Sequence, residues 1–293
     1  MLKVLIYANC QGSGIEKFIF PEISKHMDVS ISHEVNYAAI TGGYGESNVS
    51  NLPEDFMSKI QEADVFIYQP IAEKHGVLST NKLVKYSITN FLPENCLSIS
   101  FPYAYNNALW PVFSEGKSIK IDSLLLKAAK NSSSEKELIS LYNSGNIRFE
   151  FYDRFETTSQ ILEEKESYCD VKISKYIRAN VNKKRLFLTQ NHPATDLFIE
   201  MSRQVIKIVS KNLGFNFDEQ NYVSENTGLN ANVVGIPGYY PIDIYSLRHY
   251  NFHFMRDPDE FASHYYEAYL CAVYNLIKGN PAGIPAIPNY QGS

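Results

Sequence analysis

The opening stretch of this chain constrains its fold more than any other. Lys3–Tyr7 is a short apolar strand signal that runs directly into Asn9-Cys10-Gln11-Gly12-Ser13-Gly14, a polar, glycine-bearing turn with one thiol. Ile15, Phe18 and Ile19 then set the spacing of an amphipathic helix. A strand that passes through a tight turn into a helix is the first half of a βαβ unit, whose strands are parallel. The turn then belongs to the carboxyl edge of the sheet, where open α/β folds bind ligands. A cysteine there adjoins a helix N-terminus, whose partial positive charge favours thiolate, so Cys10 is a candidate covalent nucleophile.

The alternation continues through the first hundred residues. Val29–Val35, Val65–Gln69 and Leu97–Ser100 are short, rich in β-branched or aromatic residues, and bounded by Pro, Asn or Gly. Helices are expected between the strands at Gly14–Phe20, Glu54–Gln61 and Asn81–Asn90. Right-handed crossovers make such a series a parallel, doubly wound α/β sheet flanked by helices. The loop from Val35 to Asn51, with Gly42, Gly43 and Gly45, has the length of a lid or of an ordinary surface excursion.

From Tyr105 to Lys184 strand signals nearly vanish. Helices are expected at Ile121–Lys130, Ser134–Asn143 (a Ser-rich cap with Glu135 and Glu137 in its first turn) and Glu156–Ala179. Strand character returns at Arg185–Thr189. Asn191-His192-Pro193 then opens a helix that runs to Leu213, with Gly214 in the C′ position. Residues 215–258 read as irregular, and a last helix is expected at Asp259–Lys278 before a Pro-rich tail. The expected division is an α/β core of residues 1–104 and 185–293, with residues 105–184 as a helical insertion between the fourth and last strands.

Composition excludes several classes. A net charge of −5 leaves no basic surplus to neutralise phosphates, which argues against a nucleic-acid partner. No apolar run approaches the roughly 18 residues of a membrane span. The four cysteines (Cys10, Cys96, Cys169, Cys271) show no CxxC pair and no disulfide rhythm. With no secretion-signal pattern at the start, a soluble cytoplasmic protein is expected.

Two strand ends carry unusual chemistry, Asn9-Cys10-Gln11 and Gln190-Asn191-His192-Pro193. If both strands belong to one parallel sheet, a thiol and an imidazole about 180 positions apart in sequence share an edge. That is the nucleophile-and-base arrangement, defined by geometry and role rather than by sequence order. His192 would take the Cys10 proton or hold it as an ion pair. The N–H groups of Cys10, Gln11 and Gly12, with an amide from Asn9, Gln69 or Asn191, would receive an oxyanion. Taken singly, each residue has a bland reading: a small buried thiol, a helix-start histidine, a glutamine capping backbone before Pro70. Hydrolases often place an aspartate three residues before such a histidine, but that position holds Thr189. A Cys–His dyad is therefore expected, the imidazole oriented by a carbonyl or an amide, with Asp196 as an early-helix dipole partner.

Weaker candidates surround this pair. Arg154, Arg178 and Arg203 are placed to reach a cleft and meet phosphates, although surface ion pairing is the commoner fate of such residues. Phe101, Tyr103, Tyr105 and Trp110 would form a platform for a sugar or adenine ring, or a core corner. His249 and His253 have helical zinc spacing in a stretch that reads as extended, so no metal is expected. Lys183-Lys184-Arg185 precedes its strand and reads as a solvated flank at the opposite edge. Gln11-Gly12-Ser13-Gly14 lacks a P-loop lysine. The Tyr-rich 236–254 segment and Phe261, Tyr265 and Tyr269 would suit an oligomer interface or a core.

Taken together, strand-Asn9-Cys10-Gln11, Tyr68-Gln69-Pro70, the Phe101-Pro102 strand exit, Asp170-Val171-Lys172-Ile173-Ser174 and Asn191-His192-Pro193 resemble the WcbI-like capsular polysaccharide biosynthesis family over residues 1–215. The resemblance implies an SGNH-hydrolase-like or flavodoxin-like α/β core and acetyl-CoA as acyl donor. It also implies O-acetylation of a glycan or nucleotide-sugar acceptor, with Cys10 and His192 as the reactive pair and the insertion helping to hold the donor. Ala8 stands where the family more often has Gly, and Lys165 where an Arg is typical, which weakens a bidentate phosphate contact there. The competing expectations are an SGNH-like thiol esterase or deacetylase, and a non-catalytic sugar-binding component of polysaccharide assembly.

Overall fold

The computed structural model describes residues 1–36, 52–114, 120–228 and 238–280, together with 283 and 285. Gly42, Gly43 and Gly45 of the loop read as a lid or a surface excursion, and most of the Pro-rich tail, lie outside the described residues. The chain divides into two compact units. Met1–Ala104, Leu162–Ile177 and Pro193–Gly235 form the first, and Tyr105–Ile161, Arg178–His192 and Ile236–Ser293 the second. The first break falls after Ala104. Beyond it the chain alternates between the two units.

In the first unit, β1 (Leu2–Ala8), α1 (Gln11–Ser24), β2 (Val29–Val35), α2 (Glu54–Gln61), β3 (Val65–Tyr68) and β4 (Leu97–Ser100) follow in turn. The four strands are parallel in the order β2-β1-β3-β4, with Ala8 opposite Val35 and Tyr7 opposite Tyr68. The chain moves outward from β1 to β2 and then crosses to β3 on the other side. The carboxyl ends of β1 and β3 therefore flank the topological switch point, where such sheets open a crevice.

Side chains alternate across β1. Leu5 and Tyr7 join Phe66, Phe56, Ile60, Val77 and Ile88 in a core under α2. Val4 and Ile6 point to the other face, on which α1 packs against the helix Thr195–Leu213. A Cβ at Gly14 would lie 2.2 Å from Cε1 of Phe198, so only glycine permits this approach. That second helix ends on Gly214 at φ +78°, in the expected C′ role.

Asn81–Asn90 is not an α-helix, and its only helical part is a 3-10 turn at Ile88–Phe91. Its polar side chains satisfy the local backbone instead: Ser79 Oγ accepts from Asn81 N at 3.1 Å, Asn81 Oδ1 from Leu83 N at 3.0 Å, and Asn90 Nδ2 donates to the Val84 carbonyl at 2.8 Å. Such bonds compete directly with helix formation. The helix expected at Glu156–Ala179 is two, Phe151–Glu166 and Ser174–Asn180. The buried Glu166 carboxylate accepts from Ile173 N, Ser174 N and Ser174 Oγ, and so caps the second helix itself.

In the second unit, Asp122 caps Ser123–Asn131, and at Glu135–Asn143 Ser134 Oγ accepts from Glu137 N while the Glu137 carboxylate accepts from Ser133 N. Both helices pack on Ala262–Ile277. Tyr265 and Tyr269, for which an interface or a core was open, are buried in this unit against Phe113, whose ring stacks at 4.3 Å on Tyr240. Two helices lie where irregular chain was expected, Glu219–Asn226 in the first unit and Ile244–Tyr250 in the second, each with an aspartate N-cap, Asp218 and Asp243.

The strand expected at Arg185–Thr189 shortens to Phe187–Thr189 and does not join the four-stranded sheet. The chain turns back at Gln190–Asn191, and the strand pairs with His192–Pro193. The premise that Cys10 and His192 end strands of one parallel sheet is therefore overturned. No helix among the described residues is long and apolar enough to cross a membrane.

Candidate active site

Only Asn9 and Cys10 connect β1 to α1. Cys10 is the N-cap residue, at φ −54° and ψ −20°, and its side chain makes no capping bond. Asn9 caps instead: its Oδ1 accepts from Gln11 N at 2.9 Å and its carbonyl from Gly12 N at 2.9 Å. The thiol is thereby left for other work.

Two buried amides lock the switch point around this turn. Gln69, directly after β3, accepts from Asn9 N at 3.0 Å and donates to Gln11 Oε1 at 3.1 Å. Gln11 donates in turn to the Ala104 carbonyl at 2.8 Å and accepts from Ala104 N at 3.1 Å. One network thus ties the ends of β1 and β3 to the chain leaving β4. It brings together Asn9, Gln11 and Gln69. Their work here is to build the edge, and the Gln11 and Gly12 N–H groups already bond Asn9. The half-buried Tyr103 precedes the clamped Ala104.

The expectation of a stabilised thiolate does not hold in the free protein. Burial raises the Cys10 pKa above the ordinary thiol value, against a smaller downward pull from the Cys10 and Gln11 N–H groups. A sulfur that has lost much of its water gains little from one helix end.

His192 sits in the second unit at the close of the Gln190–Asn191 turn. The turn is anchored by Asn106 N donating to the Gln190 carbonyl at 2.8 Å and by Gln190 Nε2 donating to the Phe113 carbonyl at 3.1 Å. Thr189 Oγ1 lies 2.5 Å from His192 Nδ1 and donates to Asn191 Oδ1 at 3.2 Å. With its single proton given to Asn191, the Thr189 hydroxyl accepts from Nδ1–H, so Nε2 carries the basic lone pair. Burial lowers the imidazole pKa from 6.5 to about 4. Sequence reasoning noted that Thr189 stands where an aspartate is usual, yet missed that a hydroxyl fills the same orienting place. The signal was the i−3 spacing itself. Asp196 lies in the first turn of Thr195–Leu213.

The three arginines are committed to carboxylates. Arg154 meets Asp122 at 2.7 Å, Arg178 grips Glu156 at 2.8 and 3.0 Å, and Arg203 bonds Glu200 at 2.8 Å and also Glu219. Phe101 and Trp110 are core residues, not pocket walls. His249 stacks on Phe151 at 4.7 Å, and its helix ends before His253. Among the described residues no group of three or more His, Cys, Asp or Glu could hold a metal ion.

The family model described as polysaccharide biosynthesis enzyme WcbI matches residues 3–213, a span that holds Cys10, Gln69, Thr189 and His192. No curated protein matches the chain. A solved structure of WcbI, described as a novel polysaccharide biosynthesis enzyme in its native form without a disulfide bond between coenzyme A and one of its cysteines, is 18% identical. The match covers 96% of this chain and 91% of that one with a TM-score of 0.68, a likeness of fold. The chain belongs to the WcbI family of polysaccharide biosynthesis enzymes.

Proposed function

We propose that this protein is an acetyl-CoA-dependent O-acetyltransferase. It acts in the cytoplasm on a sugar hydroxyl of a capsular or other surface polysaccharide, or of its precursor, with Cys10 and His192 as the reactive pair. The observation that carries the reading is the preparation of His192. An imidazole held through Nδ1 on Thr189, with its pKa near 4, is a neutral proton acceptor at physiological pH. Coenzyme A as donor is supported by the solved relative, whose description names coenzyme A and a cysteine with no disulfide bond between them.

The free pair rests as thiol and imidazole, because burial disfavours the charged form of each. Nε2 takes the thiol proton as Cys10 Sγ attacks the acetyl carbonyl. The C–S bond to coenzyme A breaks, and the departing thiolate takes that proton back from His192. The sugar hydroxyl then gives its proton to Nε2 and attacks the Cys10 thioester. An acetylated sugar leaves, and the Cys10 thiolate recovers the proton. Tyr103 offers a ring to the donor. Arg154, Arg178 and Arg203 would meet its phosphates only by exchanging their carboxylate partners.

The test is incubation with acetyl-CoA followed by peptide mass spectrometry. The reading expects one acetyl group on the Cys10 peptide, absent in Cys10→Ala and slow to form in His192→Ala. Hydrolysis of simple acetyl esters with no response to coenzyme A would instead identify a thiol esterase.

A further inference from the structure

A second histidine faces the thiol-bearing turn. His33, on the edge strand β2, places Nε2 3.3 Å from the Ala8 carbonyl and Nδ1 3.1 Å from Ser13 Oγ. A carbonyl only accepts, so Nε2 carries the hydrogen and Nδ1 accepts from the Ser13 hydroxyl. Ala8 is the last residue of β1, and Ser13 lies in the first turn of α1. The imidazole therefore joins the two limbs of the loop that carries Cys10. Its ring fills the space above Gly12, where a Cβ would lie 2.4 Å from Nε2 and 2.8 Å from Cδ2. Gly12 is required here for that ring rather than for a backbone angle.

We propose that His33 is a positioning residue: it fixes the Cys10 thiol by bracing the turn from Ala8 to Ser13, and Gly12 is the seat of its ring. The proposal rests on Cys10 being the reactive group. It adds that the geometry of the thiol is set from the edge strand as well as from the Gln11–Gln69 network. Loosening a reactive atom by about an ångström can cost on the order of a hundredfold in rate. The same loosening admits a small reagent to a half-buried sulfur.

The test follows alkylation of Cys10 by iodoacetamide in the folded full-length protein, resolved by peptide mass spectrometry, beside acetyl-CoA turnover. In His33→Ala, alkylation should rise at least about threefold while kcat falls about tenfold or more at little-changed KM, the split expected of lost positioning. His33→Gln, which can both donate to Ala8 and accept from Ser13, should restore both. Ser13→Ala, a milder variant, should move both readouts in the same directions. Gly12→Ala should reproduce His33→Ala in the native background and add little to it in the double variant, because both displace one ring. Unchanged Cys10 alkylation in His33→Ala and Ser13→Ala, or additive effects of Gly12→Ala and His33→Ala, would overturn the proposal. A native protein with no acetyl-CoA turnover but with the alkylation pattern intact would instead remove the acetyltransferase reading and leave the bracing role standing.

Discussion

At the scale of single residues, the account turns on hydrogen-bond donors and acceptors in short supply. Thr189 has one proton and gives it to Asn191, which fixes His192 as the Nδ1–H tautomer. Thr189→Val removes that acceptor, and kcat should fall about tenfold to a hundredfold with KM nearly unchanged, while Thr189→Ser retains most activity. The pH dependence follows from burial. An unfolded His192 takes a proton near 6.5 and the folded one near 4. Between those values the unfolded chain binds more protons, so this contribution to stability is present above about 6.5 and is lost as pH falls towards 4. After allowance for partial exposure it is on the order of 2 kcal/mol. Denaturant titrations at pH 7 and pH 5 should show this loss in the native protein and a smaller one in His192→Gln. For Cys10 the sign is opposite to the simple helix-end expectation: its alkylation midpoint should lie above that of a free thiol, and a lower midpoint would contradict the burial argument.

At the scale of elements, α1 must approach Thr195–Leu213 closely for the turn ahead of it to sit where it does. Gly14→Ala drives a methyl into the Phe198 ring and should cost about 1–3 kcal/mol, read as a lowered melting temperature that Phe198→Leu partly restores. The elements of the parallel sheet were legible because each strand is a bounded apolar run and α1 and α2 have helical spacing. The stretch from Asn81 to Asn90 was misread because apolar spacing was weighed and the competing Ser and Asn side chains were not. Glu166 was invisible as a cap, since its carboxylate acts across seven residues of irregular chain rather than at a standard offset. The short helices after Asp218 and Asp243 were announced by their caps and passed over for lack of periodicity.

At the scale of the whole molecule, the chemistry of the two strand ends was legible while their pairing was not. Leu186-Phe187-Leu188 reads as a buried parallel strand, but an apolar run names no partner, and Phe187–Thr189 pairs locally with His192–Pro193. Cys10 and His192 accordingly belong to different compact units, and their joint action is a matter for kinetics. Coenzyme A should stabilise the folded chain by about 2.7 kcal/mol at a hundredfold excess over Kd, visible as a thermal shift. The most direct measurement is the rate of coenzyme A release from acetyl-CoA, with a sugar acceptor present, in Cys10→Ala, His192→Ala and the double variant. One reacting unit predicts that each single change costs about a thousandfold and that the double variant is no slower than the worse single. Losses that multiply in the double variant would contradict the pair.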